Sequence, residues 1–104
     1  MTKNGALSKR LNAALDEGGL SKRDLSIWFG RPYATVRMWI EGVQEPWVVW
    51  KDDIEQKLAA LEHLIRQRKS LPIPPSFNHA DRRGLIERLV RERDLKLPRA
   101  RASG

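Results

Sequence analysis

Residues 21–46, SKRDLSIWFGRPYATVRMWIEGVQEP, decide the fold of this chain. Ser21 and Asp24 form a capping pair: a side-chain oxygen serves the free amides of a first helical turn, and an acid sits at its positive end. Leu25 and Phe29 follow on one face. Gly30 supplies the positive backbone dihedral that stops a helix, and Arg31-Pro32 redirects the chain into a second helix over Tyr33–Glu41. Val36, Trp39 and Ile40 make the buried stripe of that helix, Gly42 ends it, and Pro46 opens the next. The spacing therefore predicts helix, tight turn, helix. Tyr33, Ala34, Arg37, Met38 and Glu41 are left on the outward edge of the second helix, an edge of the size a DNA major groove admits.

Upstream, Leu7, Leu11, Ala14 and Leu15 recur at helical spacing over about residues 6–17, and Gly18-Gly19 stops the run. This support helix buries the backs of the next two, with Lys9 and Arg10 facing outward. Downstream, Trp47, Trp50, Ile54, Leu58, Leu61, Leu64 and Ile65 predict a long helix over residues 46–69, which at about 1.5 Å per residue extends some 35 Å. Its tryptophan-rich front half is expected to pack on the core. In its back half Leu58, Leu61 and Ile65, flanked by Glu55, Lys57, Glu62 and Arg66, resemble a short coiled-coil seam that either folds back on its own chain or joins a second copy. The prolines of LPIPPS, residues 71–76, break the helix and make a stiff linker or turn. Asn78 and Asp81 then cap a last helix with Leu85, Ile86, Leu89 and Val90 on one face and Arg82, Arg83, Arg88 and Arg91 on its flanks. Alone it would be marginal in water, so it docks on the long helix or on a second subunit. The fold class is all-α. A helix-turn-helix core over 1–50 is followed by a helical extension over 51–96, read as the oligomerisation region, and a basic disordered tail over 97–104.

The chain has 104 residues, a formal charge of +7 and a pI near 10.4, which point to a polyanionic partner. About half of the positive excess lies beyond Leu71, and the tail residues Arg99 and Arg101 form an arm of the kind that meets phosphate or a minor groove. The absence of cysteine excludes disulfides and thiolate metal sites. With no signal-peptide pattern and no apolar run long enough to cross a bilayer, a soluble cytoplasmic protein is expected, with no membrane partner. His63 and His79 stand on different elements, Gly18-Gly19 lacks the lysine of a phosphate-binding loop, and Asp52-Asp53 read as helix-start acids. No catalytic residue, metal, cofactor or small-molecule substrate is expected.

Leu11, Leu15, Gly19-Leu20-Ser21, Leu25-Ser26, Phe29-Gly30, Thr35-Val36, Trp39, Gly42 and Pro46 stand in the register of a known pattern. In these residues the chain resembles the Cro and phage-repressor type of helix-turn-helix, also called the xenobiotic-response-element type. The resemblance covers somewhat less than half of the chain. It implies a sequence-specific double-stranded DNA-binding protein, a transcriptional regulator of the phage or bacterial repressor kind, that reads the major groove with helix 33–41. The DNA-contacting residues would be Lys22, Arg23, Arg31, Tyr33, Ala34, Thr35, Arg37 and Met38. Lys22 and Arg23 suit phosphates; the Arg37 fork suits guanine O6 and N7; Ala34 and Met38 suit a thymine methyl, and Tyr33 a phosphate or a base edge. One such module makes few base contacts, so a homodimer on half-sites near 34 Å apart is expected, joined through Leu58, Leu61, Ile65, Leu85, Ile86 and Leu89. Alternatives are a phage small DNA-packaging subunit and a protein-interaction module using Ile27, Trp28, Trp47 and Trp50. Ile27 and Trp28 occupy positions that are usually polar in the related pattern, so they are expected to be covered by the long helix or by a second subunit.

Overall fold

In a computed structural model that describes residues 4–96, each apolar run at helical spacing becomes one helix: α1 (Asn4–Gly18), α2 (Lys22–Phe29), α3 (Tyr33–Glu41), α4 (Lys51–Gln67) and α5 (His79–Lys96). The described residues contain no strand, and the fold is all-α. The basic tail over 97–104, with Arg99 and Arg101, lies outside them.

The start of α2 is set by the capping pair. Ser21 Oγ accepts from the Asp24 amide at 3.1 Å, and the Asp24 carboxylate accepts from the Ser21 amide at 2.9 Å, so each side chain satisfies a donor the helix cannot. The helix stops at Gly30, whose φ of 67° lets its N–H reach back to the Ser26 carbonyl at 2.9 Å. The Ser26 hydroxyl then donates to the Arg31 carbonyl at 2.8 Å and closes the turn, and the Pro32 carbonyl accepts from Val36 at 3.0 Å to begin α3. Leu25, Phe29, Val36, Trp39 and Ile40 are buried between the two helices, with the Phe29 ring edge-on to Trp39 at 6.1 Å. From α1, Leu11 and Ala14 back this pair, while the Ser8 hydroxyl and the Asn12 amide donate to the Ile40 carbonyl at 2.5 and 3.0 Å. That carbonyl belongs to the last turn of α3, where backbone acceptors have no partner within the helix. The polar edge of α1 thus fixes the pitch of α3.

The long helix is shorter than its apolar pattern. Pro46 is buried, Trp47 is extended, and Val48–Trp50 is a 3-10 turn closed by the Trp50 amide on the Trp47 carbonyl at 2.8 Å. The indoles of Trp47 and Trp50 stack at 5.9 Å and 22°. Trp47, Val48 and Val49 remain 69, 79 and 72% exposed, so the front half packs on the core only through the half-buried Trp50 and the buried Ile54. Helix α4 begins only at Lys51.

The seam residues of α4 do enter it. Leu58, Leu61 and Ile65 are buried against the other helices of the same chain. Arg10 of α1 seals their edge, forking onto Glu62 through Nε and Nη2 at 3.1 and 2.8 Å and reaching Glu55 through Nη1 at 2.8 Å. Hydrogen bonds to Glu62, then Glu55, hold the Arg10 guanidinium above its ordinary pKa. Ile86 and Leu89 of α5 are buried in the same cluster, and Leu85 packs half-buried on it. The expectation that Leu58, Leu61, Ile65, Leu85, Ile86 and Leu89 form an oligomerisation surface is therefore corrected. The stripe has its apolar partners in cis, and of the charges flanking it Glu55 and Glu62 pair with Arg10 of α1 while Lys57 pairs with Asp53 of its own helix. One hydrophobic cluster runs from Leu11 to Leu89, so packing does not divide at residue 50.

The segment over 71–76 is part of that core. Leu71 and Ile73 are buried, and the Ile73 amide donates to the Gly18 carbonyl at 3.0 Å. Gly19 makes this approach possible: its φ is 61°, and a Cβ there would lie 3.0 Å from the Ile73 carbonyl oxygen. Gly19→Ala is expected to cost about 1 to 2 kcal/mol from the left-handed backbone alone. Urea unfolding checks this, and an unchanged midpoint would show that the segment is not held at Gly19.

Helix α5 lies along α2 and is fastened at both ends. Near its start Arg82 donates to the Asp24 carboxylate and to the Gly19 carbonyl, both at 2.7 Å. Toward its end the buried Arg93 lies 4.7 Å over the Trp28 ring and donates to the Trp28 carbonyl. The Trp28 indole N–H reaches the Lys57 carbonyl of α4 at 2.8 Å. Trp28 is accordingly covered by α4 and α5 of its own chain, and Ile27 is half-buried beside it.

Candidate nucleic-acid interface

Burial of Val36, Trp39 and Ile40 turns the other side of α3 outward. Tyr33, Ala34 and Arg37 are exposed there, and Thr35 and Met38 are half-buried at its margins. Arg37 is about half exposed. Its Nε lies 3.6 Å from Glu41 Oε2, one turn further along the helix, and the same oxygen lies 4.0 Å from Lys22 Nζ of α2. Ion pairs this exposed contribute little and exchange readily, so Glu41 orients the two cations without locking them. Arg23, next to Lys22, stands 5.6 Å from the centroid of the Tyr33 ring at the other end of α3. The structure thus brings Lys22, Arg23, Tyr33, Ala34 and Arg37 to one surface built from α2 and the outer edge of α3. Comparison with protein-family models, curated proteins and solved structures gives no match to this chain.

Arg31 is held differently from the other basic residues. Its guanidinium lies 4.0 Å over the Trp50 ring, and its Nε is buried without a hydrogen-bond partner. Together with the Trp47 stack, this ties the turn before α3 to the 3-10 turn after it. Arg31 as found is a turn-fixing residue whose flat face is already taken.

Three basic residues absent from the sequence expectation for this surface also reach it. His79, Arg82 and Arg83 from the first turns of α5 line an open cleft with Lys22, Arg23, Ile27 and Tyr33. The Asn78 and Asp81 cap identified where α5 begins, but no local pattern says that this end lies beside α2. Among the described residues no group of three or more His, Asp or Glu side chains is placed to hold a metal ion. No described helix is long and apolar enough to cross a membrane.

Proposed function

We propose that this chain is a sequence-specific double-stranded DNA-binding protein that reads the major groove with the outer edge of α3, a regulator of transcription of the phage or bacterial repressor kind. The observation that carries the reading is the pairing of two surfaces. Tyr33, Ala34 and Arg37 project opposite a buried stripe on a helix of groove-fitting length, and Lys22 and Arg23 flank them from the neighbouring helix. Base edges call for a protruding row with a fork-shaped donor, and phosphates call for cations beside it. Selection of bound duplexes from a random pool tests this. Enrichment of one motif supports the reading, and the absence of binding to any duplex at low salt overturns it.

A homodimer belongs to the same proposal, because two modules double the base contacts and fix the spacing of half-sites. With the seam of α4 buried in cis, the longest run of exposed apolar residues among the described ones is Trp47, Val48 and Val49, with Val43 67% exposed nearby in the chain and Leu95 exposed singly on α5, and this run is the surface proposed for a second copy. Val48→Asp should convert a dimer to a monomer in light scattering while leaving the helical signal unchanged. A wild-type chain that is monomeric at all concentrations would remove the dimer from the proposal.

A further inference from the structure

A cleft between the first turns of α2, α3 and α5 carries the cations of α2 past the reading edge to those of α5. Its volume is about 600 Å³, and Lys22, Arg23, Arg82 and Arg83 line it together with His79, Tyr33 and Asp24. Four cations therefore face one carboxylate, and that carboxylate is occupied: Asp24 accepts from Ser21 within its own helix cap and from Arg82 at 2.7 Å. The remaining cations have weak partners. Lys22 is 4.0 Å from Glu41, Arg23 rests over the Tyr33 ring, and Arg83 pairs with Glu87 of its own helix at 3.3 Å while its side chain is 69% exposed. Exposed pairs of this kind give way to a better anion at little cost. The helix amides are not the source of attraction, since the first turns of both α2 and α5 are already capped by Ser21 with Asp24 and by Asn78 with Asp81. The side chains are.

We infer that this cleft clamps the sugar-phosphate backbone of a duplex beside the groove that α3 enters, with Arg83 of α5 as the clamp's outer jaw and Lys22 and Arg23 of α2 as its inner one. The inference rests on the proposed duplex binding and adds α5 to the footprint. Tyr33 decides the occupant. It lies both on the exposed edge of α3 and in the wall of the cleft, so a duplex seated on that edge presents its flanking strand to the cleft. The outer jaw is rigid because Arg82, one residue earlier, is fastened to Asp24 and to the Gly19 carbonyl, and Ile86 is buried three residues later. Arg82 sets the position of the first turn, and Arg83 is free to exchange Glu87 for phosphate.

The test uses the full chain with Arg83→Ala, Arg83→Glu and Arg83→Lys, titrated by fluorescence anisotropy against a selected duplex and a scrambled one at several salt concentrations. The expected result is that Arg83→Ala weakens both duplexes alike and reduces the magnitude of the salt slope by about one, with Arg83→Glu weaker still and Arg83→Lys near wild type. Thermal unfolding should be unchanged, since the side chain is exposed. If Arg83→Ala and Arg83→Glu bind like wild type while Lys22→Ala or Arg37→Ala weakens binding, the clamp is wrong and the duplex reading stands. If Arg83→Ala alters preference between the two duplexes instead of lowering both, backbone contact is wrong. A wild-type chain that binds neither duplex overturns the clamp and the duplex reading together.

Discussion

Trp28→Ala is expected to lower the stability of the chain by about 3 to 5 kcal/mol, the range found when a buried tryptophan is truncated in a packed core. Trp28 is 1% exposed and acts at three places at once. Its ring fills the core between α2 and the later helices. Its indole N–H satisfies the Lys57 carbonyl of α4 at 2.8 Å, and its face carries the Arg93 guanidinium of α5 at 4.7 Å. Removing the indole leaves a cavity and also leaves a buried arginine without the surface that helps compensate its desolvation. Small domains have roughly 5 to 15 kcal/mol in total, so this single change removes a large part of the margin. Trp28→Phe retains most of the volume but loses the bond to Lys57 and should cost about 1 to 2 kcal/mol. Urea unfolding followed by circular dichroism measures both. Amide exchange in α5 should quicken more than exchange in α3, because α5 is the element that Trp28 holds. A loss below about 1 kcal/mol for Trp28→Ala, or exchange that quickens uniformly, would show that Trp28 does not fasten α5.

What the sequence makes legible is local. Ser21 with Asp24, the stop at Gly30, and the spacing of Val36, Trp39 and Ile40 each act within a few residues, and they locate α2, the turn and α3 with their faces assigned. Residues whose partners lie far along the chain are not legible in the same way. Arg10 reads as an outward cation, yet its partner Glu62 is 52 positions away; Arg82 reads as a flank residue, yet it meets Asp24 at a separation of 58. Nothing in the local pattern marks Arg93 as buried, because an arginine on a helix flank is ordinarily solvated. Its burial follows from Trp28 offering both a ring face and a carbonyl. The stripe Leu58, Leu61 and Ile65 has the same spacing whether it closes in cis or across a dimer. Only the arrival of α1, α2 and α5 decides. Trp47 and Trp50 show a different limit, since a spacing of three suits an α-helix and also suits two indoles stacked across a 3-10 turn.

Arg37→Ala is expected to remove one base-specific contact, at a loss of about 1 to 3 kcal/mol confined to one base position, with discrimination there relaxed. The geometry favours Arg37 because it stands on the exposed side of α3 one turn beyond Tyr33, and among the described residues its ion-pair partner is the exposed Glu41 carboxylate at 3.6 Å. Lys22→Ala should behave differently. Its ammonium group lies on α2, 4.0 Å from the same carboxylate, so it can meet the backbone but has no fork to offer a base. Its loss should weaken matched and mismatched duplexes alike and reduce the magnitude of the salt slope by about one. The two variants control for each other. Either removal leaves Glu41 with the remaining cation, and neither side chain enters the core, so the unfolding free energy should stay within about 0.5 kcal/mol of wild type. Titration against the selected site and its single-base changes, at several salt concentrations, separates reading from holding. If Arg37→Ala leaves base preference intact while Lys22→Ala changes it, the reading edge belongs to α2, and α3 serves only to support it.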